Sequence, residues 1–434
     1  MTTVEGGSRE VRVGVLGCGN VGAALVSLIE TRSPTIEART GVRLSVTKVA
    51  VRNLSRDRDV TLADGVLTRD AHALVADPSV DLVVEVIGGI EPARELITEA
   101  LRAGKPVVTA NKELLANVGT ELFAVADQSG VDLLFEAAVA GGIPIIRALR
   151  ESLRGEPVNR VLGIINGTTN FILTKMDEEG TDYAVALAEA QRLGFAERDP
   201  TADVEGFDAG AKAAILASIA FGAKVVAGDV YHEGISRITA ADIAMARRLG
   251  YVVKLLGIAE RDTESGEIAV RVHPAMVPVT HPLASVRESF NAVFVEGGAV
   301  GSLMFYGRGA GGFPTASAVL GDVIDAAVNL SKGTHGTIGT FAKASIRAID
   351  ETSAQYLLSL EVTDRPGVLH AVTGVFARHG VSIRAAEQEG IDADARLVFI
   401  THEAREADVQ ATMRELRDLD AVKQIGGLLR VIGG

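Results

Sequence analysis

The first 140 residues alternate between short apolar runs and longer amphipathic ones. The short runs predict strands and the longer runs predict helices. Strands are predicted over residues 11–16, 43–51, 82–87, 106–109 and 131–136, and helices over residues 23–31, 70–76 and 91–103. Strands that alternate with helices are typical of a doubly wound parallel sheet. We therefore expect residues 10–142 to form one α/β domain.

The rest of the chain changes pattern twice. Residues 143–306 have a mixed pattern of apolar and polar positions and contain several alanine-rich stretches that predict helices. This mixture predicts an α+β domain. A glycine-rich loop beginning at Gly307 then precedes an apolar helix that reaches Ala327. Residues 354–434 follow the order βαββαβ, which predicts a separate ferredoxin-like domain. Its strands are predicted over residues 356–362, 381–388, 397–401 and 428–432, and its helices over 367–379 and 406–416.

Charge and composition narrow the possible classes of protein. The 434 residues include 43 Lys and Arg against 56 Asp and Glu, a formal net charge of −13. That balance argues against a nucleic-acid binder that neutralises phosphates. The longest apolar run, residues 213–223, spans about 16 Å as a helix, which is too short to cross a bilayer. The single cysteine, Cys18, excludes an intramolecular disulfide and predicts a reducing, cytoplasmic location.

A G-x-G-x-x-G sequence joins the first predicted strand to the first predicted helix. It comprises Gly17, Gly19, Asn20, Val21 and Gly22 around the single cysteine. The glycines allow a tight turn, close approach of a pyrophosphate and close helix–strand packing. The N-terminus of the helix offers free N–H groups to the phosphates. The motif predicts a Rossmann-type dinucleotide site, and the alternative is a turn that serves packing alone.

The end of the second strand bears on the choice of dinucleotide. Folds of this type usually place Asp or Glu there when they bind NAD, whereas Arg52 suits the 2′-phosphate of NADP. We therefore predict a preference for NADP, with NAD possible. The alternative is that Arg52 is a solvated surface residue.

Two lysines are candidates for contact with a cofactor or substrate. Lys112 follows a strand, at the carboxyl edge of the sheet where open α/β folds bind ligands. It either contacts cofactor or substrate, or is a surface lysine at the start of a helix. Lys212 lies four residues after Asp208 and borders an apolar stretch. Either the two residues form an ordinary i, i+4 ion pair, or Lys212 is a partly buried proton donor beside the Asp208 carboxylate.

Other candidate positions are glycine turns and histidines. Glu136 precedes a glycine turn, and its carboxylate together with turn carbonyls suits a hard cation. Gly312 ends the second glycine-rich loop, which either closes over the cofactor or is a flexible connection. The eight histidines show no clustered metal-binding spacing. His273 and His281 each precede a proline, so we expect both in loops.

Taken together, these motifs resemble the homoserine dehydrogenases that carry a C-terminal ACT domain. The resemblance runs from Val11 to the end and is most specific over residues 109–112, 136–144, 163–172 and 197–212. It implies the reversible, NAD(P)-dependent interconversion of aspartate 4-semialdehyde and homoserine by a monofunctional enzyme of threonine, methionine and isoleucine biosynthesis. It also implies that residues 307–340 complete the dinucleotide-binding domain and that residues 143–306 form a catalytic and dimerisation domain.

The resemblance also implies roles for individual residues. Lys212 matches a proton donor to the aldehyde oxygen, and Lys112 matches a second lysine near the nicotinamide. Gly312 matches a cofactor-contacting glycine. The implied substrate ligands are Glu197, Asp203 and Asp208. The implied ligands of a sodium or similar monovalent cation are the side chain of Glu136 and the carbonyls of Val139, Gly141 and Ile143.

The last domain resembles an ACT domain at residues 363–369 and 379–383. The resemblance implies edge-to-edge pairing, a homodimer or homotetramer, and an amino-acid effector, L-threonine. The alternative is an ACT domain that only oligomerises. Two further readings stay open for the chain as a whole. One is a different amino-acid or keto-acid dehydrogenase with an ACT tail, and the other is a sensor that binds the cofactor without turnover.

Overall fold

The computed structural model describes residues 9–391 and 394–432. They divide into two compact units. The first unit contains the chain up to Val161, together with Ala214–Asp229 and Asn291–Ala344. The second contains Leu162–Ala213, Val230–Phe290 and the chain from Ser345 onward.

The chain up to the first boundary forms alternating strands and helices, as the sequence predicts. In chain order they are β1 (Arg9–Leu16), α1 (Asn20–Thr40), β2 (Val42–Ala50), β3 (Leu67–Thr68), α2 (Ala71–Ala76), β4 (Leu82–Glu85), α3 (Ala93–Arg102), β5 (Val107–Thr109), α4 (Lys112–Ser129), β6 (Leu133–Leu134), α5 (Ile145–Arg147) and β7 (Val158–Ile164).

The middle of the chain alternates between helices and a group of longer strands. The elements are α6 (Gly167–Glu179), α7 (Tyr183–Arg192), α8 (Thr201–Val204), α9 (Phe207–Phe221), β8 (Ala223–Lys224), β9 (Tyr231–His232), α10 (Ala240–Arg248), β10 (Tyr251–Arg261), β11 (Ile268–Pro278), β12 (Phe290–Gly297), β13 (Gly301–Arg308), α11 (Gly312–Lys332) and β14 (Ala342–Lys343).

The C-terminal elements follow the predicted βαββαβ order with one short extra strand. They are β15 (Ser353–Thr363), α12 (Val368–Arg378), β16 (Ile383–Ile391), β17 (Asp394–Thr401), β18 (Ala404–Arg405), α13 (Glu406–Arg417) and β19 (Val422–Val431).

The first unit is built on a six-stranded parallel sheet in the order β3-β2-β1-β4-β5-β6. This order confirms the doubly wound, Rossmann-like fold, in which the two directions of winding meet between β1 and β4. Helices α1 and α11 pack against each other, and Val319 and Val323 of α11 share a buried core with Val13 and Leu25. Helix α11 therefore completes the core of the nucleotide-binding sheet from a distant part of the sequence.

Helix α1 is longer than the sequence predicts. It continues past Thr31 and through Pro34 to Thr40. The hydroxyl of Ser33 donates to the Leu44 carbonyl at 2.8 Å and accepts the Leu44 N–H at 3.2 Å. This reciprocal contact with β2 holds the helix where proline removes one of its own hydrogen bonds.

Two other sequence expectations are wrong. His273 lies within β11, opposite Leu256 of β10, and is 1% exposed, rather than in a loop. The strand continues through the following proline, since Pro274 pairs with Leu255 of β10, and His273 Nδ1 contacts the Pro274 carbonyl at 2.9 Å. Gly307 and Arg308 end strand β13, so the expected glycine-rich loop before α11 shrinks to residues 309–311.

The C-terminal part of the second unit has the strand order β19-β15-β17-β16, with all three pairings antiparallel. This is the ferredoxin-like arrangement that the sequence predicts. Its core contains Tyr356, Phe376 and Phe399, each at most 1% exposed. In the same unit β11 pairs with β10 on one side and with β19 on the other. Within the described residues, no helix has the length and apolar character that a membrane span needs.

Candidate active site

The glycine-rich turn after β1 is shaped to receive a phosphate group. Gly17 has φ +101°, and a Cβ added there would lie 2.9 Å from the Val86 carbonyl oxygen. A Cβ added at Gly22 would lie 2.3 Å from the Gly17 carbonyl oxygen, so the first turn of α1 packs directly on the loop. A Cβ added at Gly19 would meet nothing within 4 Å, and Asn20 and Val21 open the helix. Side chains are thus excluded where the turn is tight, and the face toward a ligand is open.

A cavity of about 750 Å³ adjoins this turn. Its lining includes Gly17, Gly19 and, at the ends of β2 and β3, Arg52 and Arg69. Arg56 and Arg58 also line it, and the Arg58 guanidinium donates to the carbonyls of neighbouring loop residues. Four arginines make this wall suited to an anion. The sequence identified Arg52, and it missed the other three because their loop has no periodic pattern.

The position of Lys112 is set by buried polar groups at the carboxyl ends of β4 and β5. The carboxylate of Glu85, which is 0% exposed, accepts the N–H groups of Ile87 and Gly88 and the hydroxyl of Thr109 at 2.6 Å. Asn111 caps α4 by accepting the Leu114 N–H at 3.1 Å. Lys112 is the first residue of that helix and is half-buried. The structure therefore places it at the ligand-binding edge of the sheet.

In the second unit, three of the predicted residues form a hydrogen-bonded cluster. Lys212 Nζ lies 2.6 Å from Asp208 Oδ2, with side chains 12% and 6% exposed. It also donates to the Ile165 carbonyl at 2.8 Å. The side-chain amide of Asn166 donates to both Asp203, at 2.7 Å, and Asp208, at 2.9 Å. This burial favours the interpretation as a functional cluster over an ordinary surface ion pair.

Asn166 joins this cluster, and the sequence analysis did not single it out. It is the N-cap of α6, where its Oδ1 accepts the Thr169 N–H at 2.9 Å. One face of this amide therefore fixes the helix and the other holds two carboxylates. The capping position was visible in the sequence, but the partners are 37 and 42 residues away and depend on the fold.

Glu197 is placed differently from the cluster. It follows α7 in a loop and is exposed, and its carbonyl accepts a hydrogen bond from Gln191. Its predicted role as a substrate ligand has no support from a contact within this cluster.

The segment around Glu136 is buried and rich in oxygen atoms. Both carboxylate oxygens of Glu136 accept backbone N–H groups, from Ile146 and Arg147, each at 2.8 Å. Burial raises the pKa of Glu136, although those N–H groups oppose the shift. Its own N–H donates to Asp322 at 2.7 Å, and burial raises the pKa of Asp322 to about 7. Two buried acids therefore lie side by side.

The turn that follows Glu136 adopts an unusual backbone. Ala140 and Gly141 have φ +56° and +53°. A Cβ added at Gly141 would lie 2.4 Å from the Gly309 carbonyl oxygen, so the turn packs against the loop before α11. Val139 and Ile143 flank these residues and are buried. In the described part of the chain, no group of three or more His, Cys, Asp or Glu is arranged to hold a metal ion.

A third feature is a cavity of about 300 Å³ in the ferredoxin-like part. It is lined by the turn between β15 and α12, including Asp364, Arg365 and Gly367, and by Gln388 of β16. Gly367 has φ +90° and precedes α12. Charged groups of both signs beside a helix N-terminus suit a zwitterion such as an amino acid.

Comparison with known families accounts for most of the chain. Residues 17–136 match the NAD-binding domain of homoserine dehydrogenase, residues 144–324 match the homoserine dehydrogenase domain, and residues 356–421 match the ACT domain.

Individual relatives are similar to this chain over nearly their full length. A homoserine dehydrogenase of Corynebacterium glutamicum is 50% identical over 431 residues, covering 98% of this chain and 97% of that protein. The crystal structure of a homoserine dehydrogenase from Thiobacillus denitrificans has a TM-score of 0.92 and 42% identity, with 98% of each chain covered. A hyperthermophilic archaeal homoserine dehydrogenase in complex with NADPH has a TM-score of 0.63 and 30% identity, over 74% of this chain and 98% of that one. The chain therefore belongs to the homoserine dehydrogenase family of NAD(P)-dependent oxidoreductases and ends in an ACT domain.

Proposed function

We propose that this enzyme reduces L-aspartate 4-semialdehyde to L-homoserine reversibly, in the biosynthesis of threonine, methionine and isoleucine. The observation that carries the proposal is the buried group formed by Lys212, Asp208, Asn166 and Asp203. An ammonium has three N–H donors, and Lys212 directs two of them to Asp208 and to the Ile165 carbonyl. The third is available for a substrate oxygen.

The chemistry follows from these residues. A reduced nicotinamide cofactor, when bound, would supply the hydride for the aldehyde carbon. Negative charge then develops on the carbonyl oxygen, which Lys212 stabilises and to which it donates a proton. Asp208 holds the ammonium in place. Asp203 and Asp208 present carboxylates that suit the substrate's amino group, and Asn166 fixes their spacing. Lys112 acts at the cofactor side, as the family resemblance implies.

The direct test is the initial rate of NADP⁺ reduction with L-homoserine, with and without L-threonine. Turnover supports the reaction, and suppression by threonine supports the effector. Folded protein that binds NADPH but turns over neither NADP⁺ nor NAD⁺ would instead identify a sensor.

We propose NADP as the preferred cofactor, with NAD also accepted. The four arginines along the nucleotide cavity support this, because a 2′-phosphate adds two negative charges beside the ribose. The archaeal relative in complex with NADPH is consistent with it. The measurement is the ratio of kcat/KM for the two cofactors.

We propose that sodium or a similar monovalent cation binds the side chain of Glu136 and the carbonyls of Val139, Gly141 and Ile143. A set of carboxylate and carbonyl oxygens suits a hard cation. A cation would also offset the charge of the Glu136 carboxylate, which its burial disfavours. Thermal stability is expected to be higher in NaCl than in choline chloride at equal ionic strength, and Glu136→Gln is expected to remove the difference.

We propose that L-threonine binds the ACT cavity and inhibits the enzyme. The pairing of charged groups beside Gly367 supports an amino-acid ligand. The test is calorimetric binding of threonine to the full-length protein and to Asp364→Ala, with Asp350→Ala as an exposed control outside the cavity. Loss of binding in the first variant alone supports the site. An ACT domain that serves assembly alone would bind no threonine in any of the three proteins.

We propose a homodimer or homotetramer. Strand β16 lies at the end of its sheet, so its outer edge is available for pairing with a second ACT domain. Light scattering of the purified protein tests this. A cytoplasmic location is proposed on the single cysteine and is tested by fractionation.

A further inference from the structure

The C-terminal strand β19 is shared between the ACT domain and the substrate-binding part of the second unit. It pairs antiparallel with β15, with Tyr356 opposite Arg430, and parallel with β11, with Ala275 opposite Arg430. The ACT cavity is lined by Val362 and Thr363 at one end of β15, and Tyr356 lies near the other. Strand β15 therefore runs from the proposed effector cavity to Tyr356, which lies opposite Arg430.

The Arg430 side chain is the polar centre of this junction. It is 3% exposed, and its Nε and Nη2 donate to Glu406, the first residue of α13, at 2.8 and 2.7 Å. Glu406 also accepts the hydroxyl of Tyr356 at 2.9 Å. The remaining guanidinium nitrogen, Nη1, donates to Glu233 at 2.9 Å. Arg430 thus joins a helix and a strand of the ACT domain to a residue outside it.

Glu233 belongs to a segment that packs on the short link between Asp203 and Asp208. Its N–H donates to Val272 of β11 at 2.8 Å. The next residue, Gly234, touches the end of α8, because an added Cβ would lie 2.3 Å from the Val204 carbonyl oxygen and 2.5 Å from Glu205 Cα. The Ile235 N–H donates to the same Val204 carbonyl at 2.8 Å. The segment therefore packs tightly against residues 204 and 205.

Residues 204 and 205 lie between the two aspartates that Asn166 holds. Asp203 is in α8 and Asp208 is in the first turn of α9. The Phe207 ring, next to Asp208, also contacts the His232 ring, with centroids 4.3 Å apart and ring planes tilted by 56°. The segment 231–235 therefore contacts the short link between Asp203 and Asp208 at several points. This packing connects Glu233 to the residues on either side of which Asp203 and Asp208 lie.

We propose that the Glu233–Arg430 ion pair positions the link between Asp203 and Asp208 and couples the ACT domain to substrate affinity, a proposal that rests on the amino-acid effector proposed above. Glu233 and Arg430 are positioning residues, since neither is assigned a contact with substrate or cofactor. Coupling between two sites acts by changing affinity, so the expected signature is a change in KM and in inhibition rather than in the chemical step.

The informative variant is Glu233→Gln, which keeps the size of the side chain and removes its charge. The Glu233 side chain is 37% exposed, and Arg430 retains both bonds to Glu406, so the fold is expected to persist. We expect the KM for L-homoserine to change at least threefold with kcat within twofold. We expect the threonine concentration for half-inhibition to rise about fivefold or more, the low end of typical coupling factors. Glu233→Asp, which restores the charge, is expected to recover part of both effects.

A matched control breaks a different link between the same two regions. Arg248 of α10 contacts Glu387 and Glu389 of β16 at 3.0 and 3.8 Å, and all three side chains are about half exposed. Arg248→Gln is expected to leave KM and threonine sensitivity within twofold of the wild type. Equal effects of Arg248→Gln and Glu233→Gln would contradict a specific role for the Glu233–Arg430 pair.

Three outcomes separate this proposal from the proposed effector. If Glu233→Gln still binds threonine by calorimetry but is inhibited less, the coupling is supported. If it folds with wild-type KM and wild-type inhibition, the proposal is wrong while the effector stands. If the wild-type enzyme does not respond to threonine, both the proposed effector and the proposed coupling are wrong. In that case an unchanged KM in Glu233→Gln would show that the ion pair does not position the link between Asp203 and Asp208 either.

Discussion

The side-chain amide nitrogen of Asn166 lies 2.9 Å from the carboxylate of Asp208, and it lies 2.7 Å from that of Asp203. Two carboxylates that would repel each other share one neutral donor. Asp208 in turn contacts the Lys212 ammonium at 2.6 Å. The arrangement therefore places one proton donor and two hydrogen-bond acceptors side by side, with the amide of Asn166 between the two acceptors.

Lys212→Ala is expected to lower kcat by about 100-fold to 10,000-fold, the usual contribution of a positioned proton donor. The measurement is the steady-state rate with L-homoserine and NADP⁺, with circular dichroism to confirm the fold. Lys343→Ala removes an exposed lysine and is the control. Activity of Lys212→Ala within about tenfold of wild type would refute its role.

Asn166→Asp separates the two functions of this side chain. Aspartate still caps α6 but offers no N–H to Asp203 and Asp208, and it adds a third carboxylate. We expect KM for L-homoserine to rise about tenfold or more, because a hydrogen bond to a charged group contributes about 1.5–3 kcal/mol. Asn166→Ala loses the cap as well and is expected to have the lower melting temperature. A wild-type KM in both variants would argue against the clamp.

Arg52→Ala is expected to raise KM for NADPH by about tenfold and to leave KM for NADH nearly unchanged, because NADH has no 2′-phosphate to pair with the guanidinium. Arg43, which lies in β2 and outside the cavity lining, provides the control as Arg43→Ala. If Arg52→Ala raises the KM for NADPH and the KM for NADH equally, the arginine contacts a part of the cofactor that the two molecules share.

Asp322 predicts a stability that decreases as pH rises. Burial raises its pKa from the ordinary 3.8 to about 7. The hydrogen bond from the Glu136 N–H opposes the shift, the Glu136 charge adds to it, and the Arg147 charge opposes it. Between these values the native state holds a proton that the unfolded chain has lost, so raising the pH through this window costs stability. We expect the melting temperature of Asp322→Asn to fall less between pH 5 and pH 8 than that of wild type. The exposed Asp64→Asn should behave as wild type.

Arg430→Met is expected to destabilise the protein much more than Glu233→Gln. Burial opposes ionisation of Glu406, yet the hydrogen bonds and charge of Arg430 lower its pKa overall. Removing the arginine leaves a buried carboxylate, which typically costs about 3–5 kcal/mol. Adding Glu406→Gln to Arg430→Met should recover part of the lost melting temperature. No recovery would show that packing rather than charge sets the cost.

Much of the fold follows from local patterns in the sequence. Alternating apolar positions predict β1 and β2, a continuous apolar run predicts β4, and amphipathic runs predict helices such as α3 and α12. The glycine spacing after β1 and the βαββαβ order of the last domain are likewise local signals. The motifs around Lys112 and Lys212 identify the family. Helix α1 past Pro34 and the strand around His273 were missed, since contacts with other strands override the local effect of proline.

The sequence by itself determined the elements, the family and the residue types available for catalysis. The tertiary structure decided which of them meet. Asn166 acquires its partners across 37 and 42 residues, Arg430 reaches Glu233 across 197 residues, and Glu197 lies exposed outside the lysine–aspartate cluster. No periodicity encodes such pairs, because a hydrogen bond between distant segments depends on how the sheets and helices pack rather than on the pattern within either segment.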